Sequence, residues 1–104
     1  MEISPAAVAV GGALQIDVML KSSQRASQNL VIDYAVHHVK ANGSTSPKVF
    51  KGWRLELAPG ETRRLSKRHS FKLITTRRYH AGRHRIELLV NGQTMAAAEF
   101  DLLV

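Results

Sequence analysis

The sequence predicts an all-β protein, a sandwich of seven antiparallel strands. Three observations carry this reading. Apolar and polar residues alternate along most of the chain, turn-forming Gly, Asn and Pro punctuate it at short intervals, and no stretch keeps a helical period over a helical length. Successive side chains of a strand point to opposite faces, so strict alternation marks a strand buried on one face only.

The first strand is expected near residues 5–10, ending at Gly11-Gly12. The second spans 13–21, where Leu14, Ile16, Val18 and Leu20 alternate with Gln15, Asp17, Met19 and Lys21. The third, 29–40, is the most apolar and therefore central. Leu30, Ile32, Tyr34 and Val36 form its core face, and Val31, Ala35 and Val39 make the other face unusually apolar too. The turn "ANGSTSP" (41–47) leads to a fourth strand at 48–57, whose Phe50 and Trp53 read as core residues. In "APGE" (58–61) Pro59 presets φ for a turn and Gly60 escapes the Cβ penalty. A fifth strand follows at 61–72, with Phe71 as a core residue. The sixth, 84–91, alternates His84, Ile86, Leu88 and Val90 with Arg85 and Glu87. Asn91-Gly92 is the strongest short hairpin signal in the chain, because a type I′ turn needs positive φ at both central residues. The seventh strand, 94–104, sets Ala96, Ala98, Phe100, Leu102 and Val104 on one face. This count and spacing match an immunoglobulin-like or fibronectin-III-like sandwich, without the Cys–Trp–Cys signature of antibody domains.

With 104 residues, 44% of them hydrophobic, one domain spanning 1–104 is expected. There is no cysteine, which excludes disulfides and thiolate metal sites and fits a reducing compartment. No apolar run approaches the roughly 20 residues a membrane helix needs. The start, "MEISPAAVAVGG", has Glu2 where a signal peptide would be basic. The expectation is a soluble, cytoplasmic chain that does not engage membranes.

The charge is uneven. Residues 1–36 carry a net −1, residues 37–85 a net +11 and residues 86–104 a net −3, within a total of +7. Residues 63–85 alone hold nine Lys or Arg and three His with no Asp or Glu. Like charges repel and oppose compaction, so a basic block between acidic ends points to a polyanionic partner. Turns alternate between the two ends of a sandwich, which puts loops 41–47 and 73–83 at the same end. One contributes Lys40, Asn42, Ser44, Thr45, Ser46 and Lys48. The other contributes Lys72, Thr75, Thr76, Arg77, Arg78, Tyr79 and His80. Lys and Arg gain affinity for nucleic acid by releasing counterions, and hydroxyl, amide and backbone N–H groups donate to phosphate oxygens. Tyr79 adds an aromatic face, and Gly82 permits close backbone approach. No recognition helix is present, so the surface suits the phosphates of duplex DNA rather than base-specific readout.

Catalysis is not expected of this chain. The basic block has only Glu56 and Glu61 at its margins, and His69 and Ser70, adjacent on a strand, point apart. No metal and no cofactor are expected either: His37 and His38 also point apart, and His80 and His84 match no ligand spacing. His38 and His84 read as partly buried residues at sheet ends, His69 and His80 as part of a basic face. "NGS" at 42–44 reads as a turn rather than a glycosylation acceptor.

The stretches "DYAVHHVKANGSTSPKVFK", "LAPGET" and "KRHSFKLITTRRYHAGRHRIELLVNG" resemble the C-terminal immunoglobulin-like domain of bacterial AlkC-type DNA alkylation repair enzymes, from about Ala13 to the end. The "LAPGET" turn is generic to β-sandwiches; the block from Lys67 to Gly92 is specific. In that family an N-terminal domain of HEAT-like helical repeats removes alkylated bases such as 3-methyladenine, and the immunoglobulin-like domain clamps the DNA. The resemblance implies a non-catalytic, DNA-binding accessory domain excised from, or partnered with, a HEAT-like glycosylase domain. The catalytic residues of that family belong to the helical part and have no counterpart here. The competing reading is a protein-interaction module, docking a partner domain or assembling oligomers through the second face of strand 29–40.

Overall fold

The computed structural model describes residues 1–72 and 79–104. Among the described residues eight strands form two sheets: β1 (Glu2–Ser4), β2 (Ala7–Ala9), β3 (Ala13–Lys21), β4 (Gln28–Val39), β5 (Thr45–Leu57), β6 (Thr62–Ser70), β7 (Gly82–Val90) and β8 (Gln93–Leu103). One sheet has the order β1-β3-β6 and the other β2-β8-β7-β4-β5. The eighth strand corrects the expected seven. Pro5 has no backbone N–H to offer a ladder, and the chain changes sheets there. β1 pairs antiparallel with β3, whereas β2 runs parallel to β8, so the pairing is not wholly antiparallel.

The inward phase follows the alternation. Leu14, Ile16, Val18, Leu30, Ile32, Tyr34, Val36, Ile86, Leu88, Phe100 and Leu102 are buried. At ~25 cal/mol per Å² of apolar surface removed from water, such a layer is the main favourable contribution to folding. Val104 departs from the expected face: β8 ends at Leu103, and Val104 is exposed.

β5 carries a bulge. Trp53 pairs with Ile32 and Lys51 with Asp33, leaving Gly52 as the extra residue. A Cβ on Gly52 would sit 2.6 Å from the Ile32 carbonyl oxygen, so only glycine fits. The inserted residue shifts the phase of the strand. Phe50 and Trp53, three apart and on opposite faces of a regular strand, therefore both pack against the core.

β5 and β6 are edge strands on the same flank, and Lys67 spans the gap between them. Its Nζ donates to the carbonyls of Lys51 (3.1 Å) and Gly52 (3.4 Å) and lies 5.8 Å from the Trp53 ring centroid. The lysine thus occupies acceptors that an open sheet edge would offer to another chain. At the far end, Asn91 (φ 49°) and Gly92 (φ 83°) make the hairpin turn with the expected positive angles, and Asn91 extends the ladder through hydrogen bonds to both backbone groups of Val31.

Candidate nucleic-acid interface

The strand order puts the 40–44 turn, the Gly11-Gly12 turn, the end of β6 with Phe71 and Lys72, and the start of β7 at one end. Phe71 anchors that end. It exchanges backbone hydrogen bonds with Gly11 and Gly12, and its ring packs against His69, Tyr79 and Phe100 at centroid distances of 5.0, 5.8 and 5.6 Å. The loop 22–27, with Arg25, lies at the opposite end, joined to the 58–61 turn by the Ser22 N–H to Glu61 carbonyl bond.

The expected site residues fall into three groups. Ser46, Lys48, Tyr79 and His80 meet around one open cleft of about 310 Å³, together with His38, Val39, Pro47 and His84. Lys40, Asn42, Ser44, Thr45 and Lys72 are exposed at the same end but outside that cleft. Thr75, Thr76, Arg77 and Arg78 lie outside the described residues. Asn42 has a structural task as well: its Oδ1 accepts from the backbone N–H (3.1 Å) and hydroxyl (2.6 Å) of Ser44, closing the turn. β5 begins at Thr45, three residues earlier than expected, because Thr45, Ser46 and Pro47 continue the ladder opposite Val39, His38 and His37. Ser46 and Lys48 thereby sit opposite His38 and Val36, on the inner face of β4, and point toward the cleft. The Lys48 ammonium lies 5.5 Å from the Phe50 ring centroid.

Two histidines in the wall were not expected to shape the site. His84 is fully buried; its Nδ1–H donates to the Gly82 carbonyl (3.1 Å) and its Nε2 accepts from the Val39 N–H (3.4 Å). Burial lowers its pKa from the usual histidine value, the Gly82 bond opposing weakly, so the ring is a neutral brace between β4 and β7. His38 stands edge-on to His84 at 5.9 Å and tilts toward Tyr79 at 6.2 Å. The signal was available: both occupy core-phase positions at strand ends. Gly82, expected to let the backbone approach a ligand, instead approaches its own chain, where a Cβ would meet the Val39 side chain at 3.4 Å.

His69 corrects a further expectation. It does not join a basic face but is buried, bonded through Nδ1 to the Tyr34 hydroxyl (2.9 Å) and packed against Phe50 at 4.6 Å. Burial raises the Tyr34 pKa, which keeps that hydroxyl protonated.

The remaining charge divides into paired and unpaired groups, and the unpaired ones are not confined to the loop end: among the described residues Lys21, Arg25, Lys51, Arg64 and Arg68 also have no carboxylate partner. On the outer face of the five-stranded sheet, Arg83 pairs with Glu99 (3.0 Å) and Asp101 (3.3 Å), Arg85 with Glu87 (3.2 Å), and Arg54 with Asp33 (3.0 Å). Arg63 is held by Glu61 at 2.7 Å. Lys40, Lys48 and Lys72, at the loop end, have no carboxylate partner among the described residues. Among the described residues, too, no three His, Asp or Glu side chains are grouped to hold a metal ion, and no helix is long and apolar enough to cross a membrane.

Comparison with known proteins matches this fold. The protein is similar to alkylpurine DNA glycosylase AlkC of Pseudomonas fluorescens, solved bound to DNA containing an abasic site analog, with TM-score 0.95 and 34% identity over 98% of this chain and 28% of that one. It is 30% identical over 98 residues to the uncharacterized protein YhaZ of Bacillus subtilis (strain 168), covering 94% of this chain and 27% of that protein. The chain thus spans about a quarter of the length of these relatives. A β-glucosidase from Listeria innocua shares the fold alone, at TM-score 0.79 and 14% identity. The family described as "Uncharacterised protein YhaZ, C-terminal Ig-like domain" matches residues 1–104, end to end, and the chain belongs to that family of Ig-like domains.

Proposed function

We propose that this chain is a non-catalytic accessory domain that holds duplex DNA by its phosphates, in the service of an alkylated-base glycosylase carried on a helical domain of the same or a partner chain. The observation that carries the reading is the fold, which matches part of an AlkC solved with DNA, with lysines at the loop end that have no carboxylate partner among the described residues. Lys40, Lys48 and Lys72 supply counterion-releasing contacts, joined by Arg77 and Arg78. Thr45, Ser46, Thr75, Thr76 and the Asn42 amide donate to phosphate oxygens, Ser44 braces the turn that presents them through its bonds to Asn42 Oδ1, and Tyr79 and His80 border them. Grip through phosphates is blind to sequence, so two unrelated duplexes of equal length should bind alike.

The test is a salt titration of duplex binding by fluorescence anisotropy. Log affinity should fall linearly with log salt, and the Lys40→Gln/Lys48→Gln/Lys72→Gln variant should flatten the slope by about 0.9 for every phosphate it no longer neutralises. An unchanged slope would remove these lysines from the interface. Purified alone, the chain should release no 3-methyladenine from alkylated DNA.

The protein-interaction reading draws on a different face. A second groove, lined by Val18, Leu20, Leu30, Leu88, Val90 and Met95, opens between the sheets, and Met19 and Met95 are exposed beside it. Lys21, Ser23, Gln24 and Gln28 also line it, giving a mix of apolar and polar groups of the kind that protein interfaces present. The face expected for this role, on the strand now β4, is less open: Ala35 is buried and Val31 is exposed.

A further inference from the structure

We propose that the cleft between the ends of β4, β5 and β7 is a subsite for one unstacked nucleobase, so that the domain prefers DNA with an extrahelical nucleotide over a continuous duplex. This rests on the nucleic-acid reading above and goes beyond it, since phosphate grip makes no distinction between the two.

The argument is chemical. Phosphate contacts need cations and donors on an open surface, and Lys40 and Lys72 already supply these outside the cleft. The cleft is built differently. Its walls are rings, namely Tyr79, His38 and His84, set against one another at 5.9 to 6.2 Å, and its rim carries Ser46, Lys48 and His80. Both ring nitrogens of His84 are committed to backbone groups, which fixes its tautomer and makes the buried ring an uncharged backing for His38, so the faces open to a base are those of Tyr79 and His38. Tyr79 is held from below by Phe71. A rigid wall of rings with a cation at the mouth matches a base with its attached phosphate: the base stacks, and the phosphate meets Lys48. The volume, about 310 Å³, lies at the lower end of small-molecule sites and holds one such group, not a stack of several. A paired base cannot enter, because its faces are covered by its neighbours. The partner must present a base already out of the helix.

The test compares two fluorescein-labelled duplexes that differ by one bulged adenine, at the same salt. The wild-type chain should bind the bulged duplex at least about fivefold more tightly, the low end of one base–aromatic stack. Tyr79→Ala should bring that ratio to about one. Lys40→Gln/Lys72→Gln should weaken both duplexes in parallel and keep the ratio. Should Tyr79→Ala fail to fold, wild-type protein with 2-aminopurine as the bulged base decides the matter: stacking in the cleft quenches its emission on binding. Equal affinity of the wild type for the two duplexes, or unquenched emission in the complex, would overturn the subsite while leaving the phosphate grip standing. No binding of either duplex would overturn both.

Discussion

The outer face of the five-stranded sheet and the loop end draw their cations from the same basic stretch, yet the two regions use them in opposite ways. On the sheet, Arg83 lies directly opposite Asp101 and diagonal to Glu99, because the β7–β8 hairpin folds the acidic C-terminal segment onto the basic one. Those charges are neutralised within the chain. At the loop end, Lys40, Lys48 and Lys72 have no carboxylate partner among the described residues. A run of positive charge in a sequence therefore states only how much charge there is. Strand register decides how much of it faces outward.

Several substitutions would break or sharpen that contrast. The largest effect should come from Phe71→Ala. Its ring is completely buried and supports both Tyr79 and His69, so its removal should cost about 3–5 kcal/mol in urea denaturation. A cost below about 1 kcal/mol would mean that the loop end is held by its backbone bonds alone.

A direct comparison of the two regions sets Arg77→Ala/Arg78→Ala against Arg83→Ala/Arg85→Ala. If loop arginines contact phosphate, the first pair should reduce the salt slope of DNA binding by about 1.8, two phosphates at about 0.9 each. The second pair should leave the slope within experimental error, because those arginines already have carboxylate partners, and should shift the melting temperature only slightly. Arg25→Ala, at the opposite end, should behave like the second pair. Equal weakening by both pairs would mean diffuse attraction instead of a site.

Lys67 tests whether part of the basic block is structural. Lys67→Met keeps the stem against Trp53 but removes the donors to the two β5 carbonyls, and should cost about 1 kcal/mol in thermal or urea melts. DNA binding should change little; a large drop would move this flank into the interface.

The smallest effect is on pH dependence. The folded pKa of His84 is lowered, so below the ordinary value of 6.5 the unfolded chain takes up a proton that the folded chain refuses. Its contribution is therefore complete above pH 6.5 and declines as the pH falls toward the folded pKa. The melting temperature should drop between pH 7 and pH 5, and His84→Gln should flatten that drop. Glu87 acts lower on the scale. The Thr94 hydroxyl chiefly, helped by Arg85 and His37, holds its pKa below the usual 4.5, so its contribution is lost only on further acidification.

Much of this was legible in the sequence, for identifiable reasons. Period-two alternation reports which face of a strand is buried, and that rule located nearly the whole core, from Leu14 to Leu102. Asn91-Gly92 announced its turn because few other pairs tolerate two positive φ angles. That the 40–44 turn and the start of β7 share an end followed from strand count alone, since an even number of added strands restores the same end, and the N-terminal run that divides at Pro5 precedes them. The motifs in 33–51 and 67–92 were enough to point to AlkC-type domains, with which this chain shares its fold at TM-score 0.95.

What the sequence could not express was anything that depends on who stands opposite whom. The switch of sheets at Pro5 depends on β3 and β8 being there to receive the two halves. The inward turn of both Phe50 and Trp53 depends on the Ile32 carbonyl leaving room only for a glycine. His69, polar and embedded in a basic run, is buried because Tyr34 on the other sheet reaches its ring. The same logic separates Arg83 from Lys72: the two are equally charged and eleven residues apart, but only one has an acidic strand beside it. Alternation and turn chemistry are local, set by neighbours along the chain, and so a sequence carries them in full. Pairing across sheets is a contact between residues far apart in sequence, and only the folded chain decides it.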